Sequence, residues 1–399
     1  MFSSDELAKY ARTLWWGLTT ARTKPYQPGE LILLRFDQDA TPLAEAVYDL
    51  LIREGMVPVP RQNLTPAMEV SFYGHGSDSQ IKAIAAGDRE LMQNLSGLIS
   101  LIAPASLTHL AGIDSGKIGM AAVARKFLRE IMELREQTGD FGWTLCAYPT
   151  PEQARCAGLT VEEYAQQIKQ ACFLDTDDPA AKWREVHAEV TRVKQALGAL
   201  AIDRLKVESA NCDLTVNPGQ DRRWLGVSGH NIPSFEVFLS PDWRDTEGVY
   251  YADQPSYRSG NRVAGVRLTF RAGRVVEVAA AEGEEFVKKQ LTMDEGASQL
   301  GEFSLTDRRH SRIGAFMAST LFDENFGGAH GNCHVAVGAS YSDTYAGDQT
   351  SLDAAKKASL GFNDSALHWD LVNTEDKTVT ALLKGGGSVV IYKGGEFQL

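Results

Sequence analysis

The pattern of apolar residues between residues 30 and 60 most restricts the fold of this 399-residue chain. It predicts a strand (LILLRF), a helix (TPLAEAVYDLLIREG) and a second strand (MVPVP). A strand, a crossover helix and a further strand form a parallel β-sheet. Two more buried strands, LISLIAP and GWTLCAYP, are separated by an amphipathic helical stretch. The N-terminal part is therefore predicted to be an α/β domain with a parallel sheet.

The pattern changes near residue 200. From there the chain shows short alternating strands and turns, including RLTFRAGRVVEV, which is typical of a hairpin with Ala272 and Gly273 in the turn. We predict an N-terminal domain over residues 1–200 and a mainly β (α+β) metal-binding domain over residues 201–399. The first predicted strand is followed by DQDATPLAEA, which lacks a glycine-rich phosphate loop, so no nucleotide cofactor is expected.

Composition restricts the function. A net charge of −12 opposes the clustered Lys and Arg that nucleic-acid binding requires, and no segment has the ~18 consecutive apolar residues of a membrane span. Five scattered cysteines and an N-terminus without a signal-peptide pattern favour reduced thiols. We therefore expect a cytoplasmic protein that binds neither nucleic acid nor membrane.

Several alternating segments in the C-terminal half carry an acid or a histidine on a face opposite an apolar face. In SALHWDLV, His368 and Asp370 are two residues apart, so they point the same way in a strand. Glu236 in SFEVFLSP, Glu302 in LGEFSLT and His334 in CHVAVGA follow the same rule. Three carboxylates and two imidazoles are donors that zinc, cobalt or manganese accept, and five ligands can hold two divalent ions if one carboxylate bridges.

Small residues, Ala336 and Gly338, share the predicted face of His334 and leave room for an ion and a substrate. Alternation turns Cys333 to the opposite face, so we expect no chemical role for it. His230 and His330 flank candidate ligands in glycine-rich loops and could line the site.

The same motifs, in the same order, resemble the thermophilic aminopeptidase family of dinuclear metallo-exopeptidases. The resemblance covers most of the chain and rests on CDLTV, GHNIPSFEVFLSP, LGEFSLT, TLFDENFGGAHGNCHVAVGASY and SALHWDLV. It implies that Glu236, Glu302, His334, His368 and Asp370 are metal ligands and that Tyr341 is catalytic. It also implies a homodimer and peptide substrates with a free N-terminus.

The implied reaction is hydrolysis of the first peptide bond by a metal-activated water. Tyr341 would donate a hydrogen bond to the developing oxyanion. Glu302 would be either the bridging ligand or a catalytic general base, and the sequence leaves both roles open. Two alternatives are a non-haem Fe(II) ring-cleaving dioxygenase, which needs only two histidines and one carboxylate, and a non-catalytic peptide-binding homologue.

Overall fold

A computed structural model describes residues 2–399. The helices are α1 (Ser4–Ala21), α2 (Thr41–Arg53), α3 (Pro66–His75), α4 (Asp78–Lys82), α5 (Asp88–Asn94), α6 (Ser115–Gln137), α7 (Pro151–Ala157), α8 (Val161–Ala171), α9 (Pro179–Ala199), α10 (Glu284–Gln290), α11 (Thr320–Asp323) and α12 (Ala354–Ser359).

The strands are β1 (Leu31–Phe36), β2 (Val57–Gln62), β3 (Leu95–Ile102), β4 (Gly142–Ala147), β5 (Ile202–Ser209), β6 (Asp213–Asn217), β7 (Asn231–Ile232), β8 (Glu236–Leu239), β9 (Asp242–Ala252), β10 (Ser256–Arg258), β11 (Asn261–Val263), β12 (Val266–Arg271), β13 (Arg274–Ala279), β14 (Leu300–Thr306), β15 (Asn332–Gly338), β16 (His368–Asn373), β17 (Lys377–Leu383), β18 (Ser388–Lys393) and β19 (Glu396–Phe397).

The chain forms two compact units. The N-terminal unit contains the chain up to Trp183 with two short later segments, Ser228–Pro233 and Arg258–Gly260. The C-terminal unit contains Arg184–Val227, Ser234–Tyr257 and Asn261–Leu399. Helix α9 runs through the point of division, and the boundary between residues 200 and 201 stays a prediction.

The N-terminal unit has a five-stranded parallel sheet in the order β2-β1-β3-β4-β7. The predicted strand–helix–strand unit is β1-α2-β2, and the parallel sheet with helices is confirmed. Residues Ile32, Leu33 and Leu34 are all buried, as expected for a strand covered on both faces. The two-residue strand β7 comes from the middle of the chain, and nothing in its short sequence predicts that it joins this sheet.

Local side-chain hydrogen bonds define where helices begin. The predicted capping box of α8 is present, because the Thr160 side chain accepts from the backbone N–H of Glu163, whose carboxylate accepts from the Thr160 N–H. Ser3 and Glu6 make the same box at the start of α1. Helix α1 was not anticipated from the sequence, although its S-x-x-E signal precedes it.

The C-terminal unit contains two antiparallel sheets, which confirms a separate antiparallel region after the α/β part. The larger sheet has the order β13-β12-β9-β6-β5-β17-β18-β19, and the smaller has the order β16-β15-β14-β8. The predicted hairpin is β12-β13. Its turn residues Ala272 and Gly273 both have positive φ, as a two-residue hairpin turn of matching twist requires.

The smaller sheet, called the site sheet below, has one predominantly apolar face, on which Asn373 at the end of β16 is polar. Alternation places eight large apolar side chains on this face, all of them buried: Val237, Leu239, Phe303, Leu305, Val335, Val337, Trp369 and Leu371. From β9 of the larger sheet, the buried Tyr250 hydroxyl lies 2.9 Å from the Cys333 carbonyl and 2.7 Å from the Leu371 carbonyl, so it can donate to either. This hydroxyl joins the two sheets through the backbone of β15 and β16.

We predict that Tyr250→Phe lowers the free energy of unfolding by about 1–2 kcal/mol, because it removes a buried hydrogen bond and leaves two carbonyl groups without that donor. Urea denaturation of the metal-free protein measures the change. Tyr48→Phe, at a tyrosine that is 41% exposed, is the matched control and should change stability by less than about 0.5 kcal/mol. Equal effects of the two variants would contradict this role of Tyr250.

Candidate metal centre

The five ligand candidates lie on the second face of the site sheet, opposite the apolar face. Glu302 on β14 is paired with Ala336 on β15, and Ala336 is paired with Asp370 on β16. Directly paired residues of antiparallel strands point to the same face. A register shift between Leu300 and Glu302 indicates a β-bulge, which sets Glu302 in this row.

The remaining ligand candidates belong to neighbouring rows of the same face. His334 is paired with Ser304, His368 with Gly338, and Glu236 with Thr306. Gly338 has φ +104, and a Cβ atom there would lie 2.1 Å from the Leu367 carbonyl oxygen. Gly338 is therefore required by the close approach of the Leu367 backbone and by its positive φ.

The functional atoms form two groups that share one residue. In each group the candidate ligand atoms lie within 4.8 Å of one another: Glu236, Glu302 and His334 in the first, and Glu302, His368 and Asp370 in the second. Glu302 Oε1 is 3.0 Å from His334 Nε2, whereas its Oε2 is 3.7 Å from His368 Nε2. Glu302 thus turns one oxygen toward each group.

Each imidazole is oriented by a backbone carbonyl. Nδ1 of His334 lies 3.2 Å from the Glu324 carbonyl oxygen, and Nδ1 of His368 lies 2.9 Å from that of Ala339. A carbonyl only accepts, so each Nδ1 carries the proton in this arrangement, and Nε2 faces the carboxylates. This is the tautomer that a metal-binding histidine uses.

The cluster holds protons strongly in the absence of a cation. Burial and the charge of Glu302 raise the pKa of Glu236 to about 8. Burial lowers the pKa of His334, but its hydrogen bond with Glu302 and the surrounding negative charges outweigh this and raise it to about 9. The pKa of His368 is likewise raised to about 9, mainly by Asp370 against the effect of burial. Buried negative charge of this density favours bound cations.

Glu324 is a site residue that the sequence analysis missed. Its side chain is buried, and burial together with the charges of Glu236, Asp370 and Glu302 raises its pKa well above the usual value. It follows the one-turn helix α11, outside any strand, so the alternation that selects the other candidates cannot select it. Its sequence signal is only its position in the FDEN segment ahead of His334.

Tyr341 lies beside the second metal group. Its ring centroid is 4.7 Å from that of His368 and 6.0 Å from that of Phe238, and 45% of the residue is exposed. Desolvation of its hydroxyl group and the charges of Glu302 and Asp370 raise its pKa well above 10, so it is a protonated phenol at neutral pH. Tyr341 can therefore act as a hydrogen-bond donor at the exposed edge of the site.

Other residues considered from the sequence lie outside the two groups. His230 is held between Ser228 and Glu136 in the N-terminal unit, at 2.8 Å from each. His330 is 45% exposed at its side chain, with Nδ1 3.7 Å from Asp376. Burial raises the pKa of the Cys333 thiol, and its strand position points it to the apolar face. Among the described residues, neither ligand group includes His230, His330 or Cys333.

The donor set fits divalent metal ions. It combines carboxylate oxygens with imidazole nitrogens whose Nε2 atoms face those carboxylates, and these are donors suited to zinc, cobalt and manganese. Glu236, Glu302 and His334 are each less than a tenth exposed, so water cannot readily compensate the carboxylate charges.

Comparison with known proteins gives consistent similarities. A family described as thermophilic metalloprotease (M29) matches residues 3–397. Aminopeptidase T of Thermus aquaticus is 31% identical over 311 residues, covering 73% of this chain and 74% of that protein. Aminopeptidase 2 of Geobacillus stearothermophilus is 27% identical over 398 residues, covering 93% and 94%.

A solved structure, wild-type AmpT from Thermus thermophilus, superimposes with a TM-score of 0.79 at 21% identity and covers 100% of both chains. This similarity shows a shared fold.

In residues 2–399, no helix has both the length and the apolar character needed to cross a membrane.

We predict that the metal-free protein loses stability as pH rises from about 5 to about 9. The pKa values of Glu236, His334 and His368 are raised to about 8, 9 and 9 from usual values of 4.5, 6.5 and 6.5. The folded state then binds more protons than the unfolded state, and this stabilisation is lost as pH passes through the folded-state pKa values.

The test is the melting temperature of chelator-treated protein from pH 5 to pH 9, with and without a divalent cation. The cation should remove most of the decline, because it takes the place of the protons. Glu236→Gln should flatten the metal-free curve between about pH 4.5 and pH 8. A metal-free curve that rises over this range would show that the proton-binding argument is wrong.

Proposed function

The chain belongs to the thermophilic metalloprotease (M29) family, and we propose that its five-residue cluster is the two-metal catalytic centre of this enzyme. It is a metal-dependent aminopeptidase, in agreement with the relatives named aminopeptidases. The family and the metal-dependent aminopeptidase activity expected from the sequence are confirmed. Family membership does not favour the dioxygenase or the non-catalytic alternative.

The observation that supports two ions is the position of Glu302. It belongs to both ligand groups and directs Oε1 toward His334 and Oε2 toward His368. Glu236 and His334 would hold one ion, His368 and Asp370 would hold the other, and Glu302 would offer one oxygen to each. A single ion would leave part of the buried carboxylate charge uncompensated.

Zinc, cobalt or manganese is the proposed metal, on the basis of the mixed oxygen and nitrogen donors. When bound, such ions supply Lewis acidity and lower the pKa of a coordinated water, which provides a nucleophile near neutral pH. The protein's part is to orient the ligands. The carbonyl groups that accept from His334 and His368 do this without adding further charge.

With both oxygens of Glu302 engaged as ligands, a different residue is needed to move protons. We assign this role to Glu324, whose buried carboxyl has a raised pKa and lies near Glu236, Asp370 and Glu302. A carboxyl with a raised pKa can take a proton from the attacking water and return it to the leaving amine. Tyr341, at the exposed edge, donates to the oxyanion that develops on the substrate carbonyl.

The substrate is a peptide with a free N-terminus. Its positively charged ammonium group complements an acidic site, and an N-acetylated peptide lacks this charge. A homodimer and a cytoplasmic location stay predictions from the sequence.

The function is tested by hydrolysis of a leucyl dipeptide and its N-acetylated counterpart with chelator-stripped protein, before and after addition of cobalt, zinc or manganese. We expect metal-dependent cleavage of the free-amine peptide only. Metal analysis should find about two ions per chain in the active protein. Absence of cleavage with every metal, or activity with one tightly bound ion per chain, would contradict the proposal.

Glu302→Gln should lower kcat by at least about 100-fold and reduce metal content, because a bridging ligand affects both ions. The matched control is Glu277→Gln, which changes an exposed glutamate on β13 and should leave both quantities unchanged. Near-normal activity with full metal content in Glu302→Gln would refute the bridging assignment.

Tyr341→Phe should lower kcat by about 100-fold while metal content and KM change by less than about threefold, because the lost hydrogen bond forms in the transition state. Steady-state kinetics with the leucyl dipeptide and metal analysis of the same samples distinguish this from loss of metal. A raised KM with unchanged kcat would instead indicate a role in ground-state binding.

A further inference from the structure

A serine hydroxyl is buried in the face of the site sheet that carries the cluster. Ser304 lies two residues from Glu302 on β14 and is paired directly with His334 on β15. Thr306, on the same face, is paired with Glu236 on β8. Side chains of alternate residues and of directly paired residues share one face of a sheet. Ser304 therefore lies among the strand positions of the three residues that form the first ligand group.

The Ser304 hydroxyl differs from other hydroxyl groups near the cluster. Its residue is 0% exposed, and within residues 2–399 its Oγ has no hydrogen-bond partner. By contrast, Ser234 Oγ lies 3.5 Å from Glu236 Oε1, and Thr306 Oγ1 donates to the Glu324 carbonyl over 3.3 Å. A buried hydroxyl without a partner destabilises the folded state, because it has given up its hydrogen bonds to water.

The carboxylates of the first ligand group are engaged by the same imidazole. His334 Nε2 lies 3.0 Å from Glu302 Oε1 and 3.5 Å from Glu236 Oε2. An imidazole that binds a cation through Nε2 carries no proton on that atom. The hydrogen bond from His334 to Glu302 is then lost, and the carboxylate can accept from another donor. Ser304 is a donor on the same face of the sheet.

We propose that Ser304 is a positioning residue for the metal ion of the first ligand group, and that its hydroxyl donates to the Glu302 or Glu236 carboxylate when a cation is bound there. This inference rests on the proposed metal centre. A hydrogen bond to a ligating carboxylate orients it and strengthens metal binding. The same hydroxyl destabilises the protein when no cation is bound, so it favours the metal-bound state in both ways.

Ser304→Ala tests the proposal, because the two states should respond in opposite directions. Alanine is smaller than serine by one oxygen atom and lacks the donor. If Ser304 were only a small residue that leaves space for its neighbours, alanine would serve equally well with and without a cation. The hydrogen-bonding role instead predicts a gain in stability for the metal-free protein and a loss of metal affinity.

The first measurement is urea denaturation of chelator-treated protein. The ratio of folded to unfolded molecules should be about fivefold higher in Ser304→Ala than in the wild type, because the substitution removes a buried hydroxyl that has no partner. An unchanged or lower ratio would show that the hydroxyl is already hydrogen-bonded without a cation, and this would overturn the proposal.

The second measurement is titration of the same two proteins with cobalt chloride in competition with a chelator, followed by calorimetry. Ser304→Ala should raise the Kd of at least one ion by about tenfold, which is the effect expected when a hydrogen bond to a metal ligand is removed. Unchanged Kd values for every bound ion would overturn the proposal, even if the metal-free protein were more stable.

Thr144→Val is the matched control. The Thr144 hydroxyl on β4 is also fully buried and, in the described part of the chain, has no hydrogen-bond partner, but it belongs to the N-terminal unit. Valine keeps the shape of the side chain and removes the hydroxyl. This variant should gain stability in urea as Ser304→Ala does, with every cobalt Kd unchanged. A tenfold rise of Kd in the control would show that stability alone governs the affinity, which would overturn the role of Ser304.

These measurements separate the proposal from the proposed function, because neither needs peptide hydrolysis. If the wild type binds cobalt but cleaves no peptide, the proposed function fails, and a raised Kd in Ser304→Ala still supports the role of Ser304. If the wild type is a metal-dependent aminopeptidase and Ser304→Ala changes neither Kd nor metal-free stability, the proposed function stands and the role of Ser304 fails.

Discussion

The main electrostatic constraint in the C-terminal unit is a cluster of buried carboxylates around two imidazoles, with Glu302 between them. Glu302 turns one oxygen toward His334 and the other toward His368, so two ligand groups exist only because this one side chain reaches both. In water these acids would ionise freely. Here burial and mutual repulsion raise the pKa of Glu236 and Glu324, which makes a cation the natural partner of the cluster.

An electrostatically costly arrangement of this kind requires a rigid support. The site sheet provides it, because its other face is predominantly apolar and buried, and the Tyr250 hydroxyl of the larger sheet reaches two backbone carbonyls of β15 and β16. The same pleat that directs His334 to the carboxylate cluster directs Val335 to the core. Packing on one face thus fixes ligand geometry on the other.

The segment from Met317 to Glu324 contains two adjacent buried acids whose side chains have different surroundings. Glu324 contributes a buried carboxyl to the cluster and its backbone carbonyl to His334. Its neighbour Asp323 uses its carboxylate differently, accepting from the backbone on both sides of the strained Ala318. Two adjacent acids thus have separate tasks, and the difference follows from what each side chain contacts.

The sequence by itself determined which residues can share the face that carries the carboxylate and histidine cluster. Strand alternation is a local property, so the patterns around Glu236, Glu302, His334, His368 and Asp370 were enough to select one face of each strand, and family resemblance added Tyr341. The parallel and antiparallel regions were predictable for the same reason. Tertiary structure alone decided the cross-strand register that makes Glu302 common to both ligand groups, the place of Glu324 after a one-turn helix, and the pairing of β7 with β4. These features depend on contacts between residues far apart in the chain, which local periodicity does not encode.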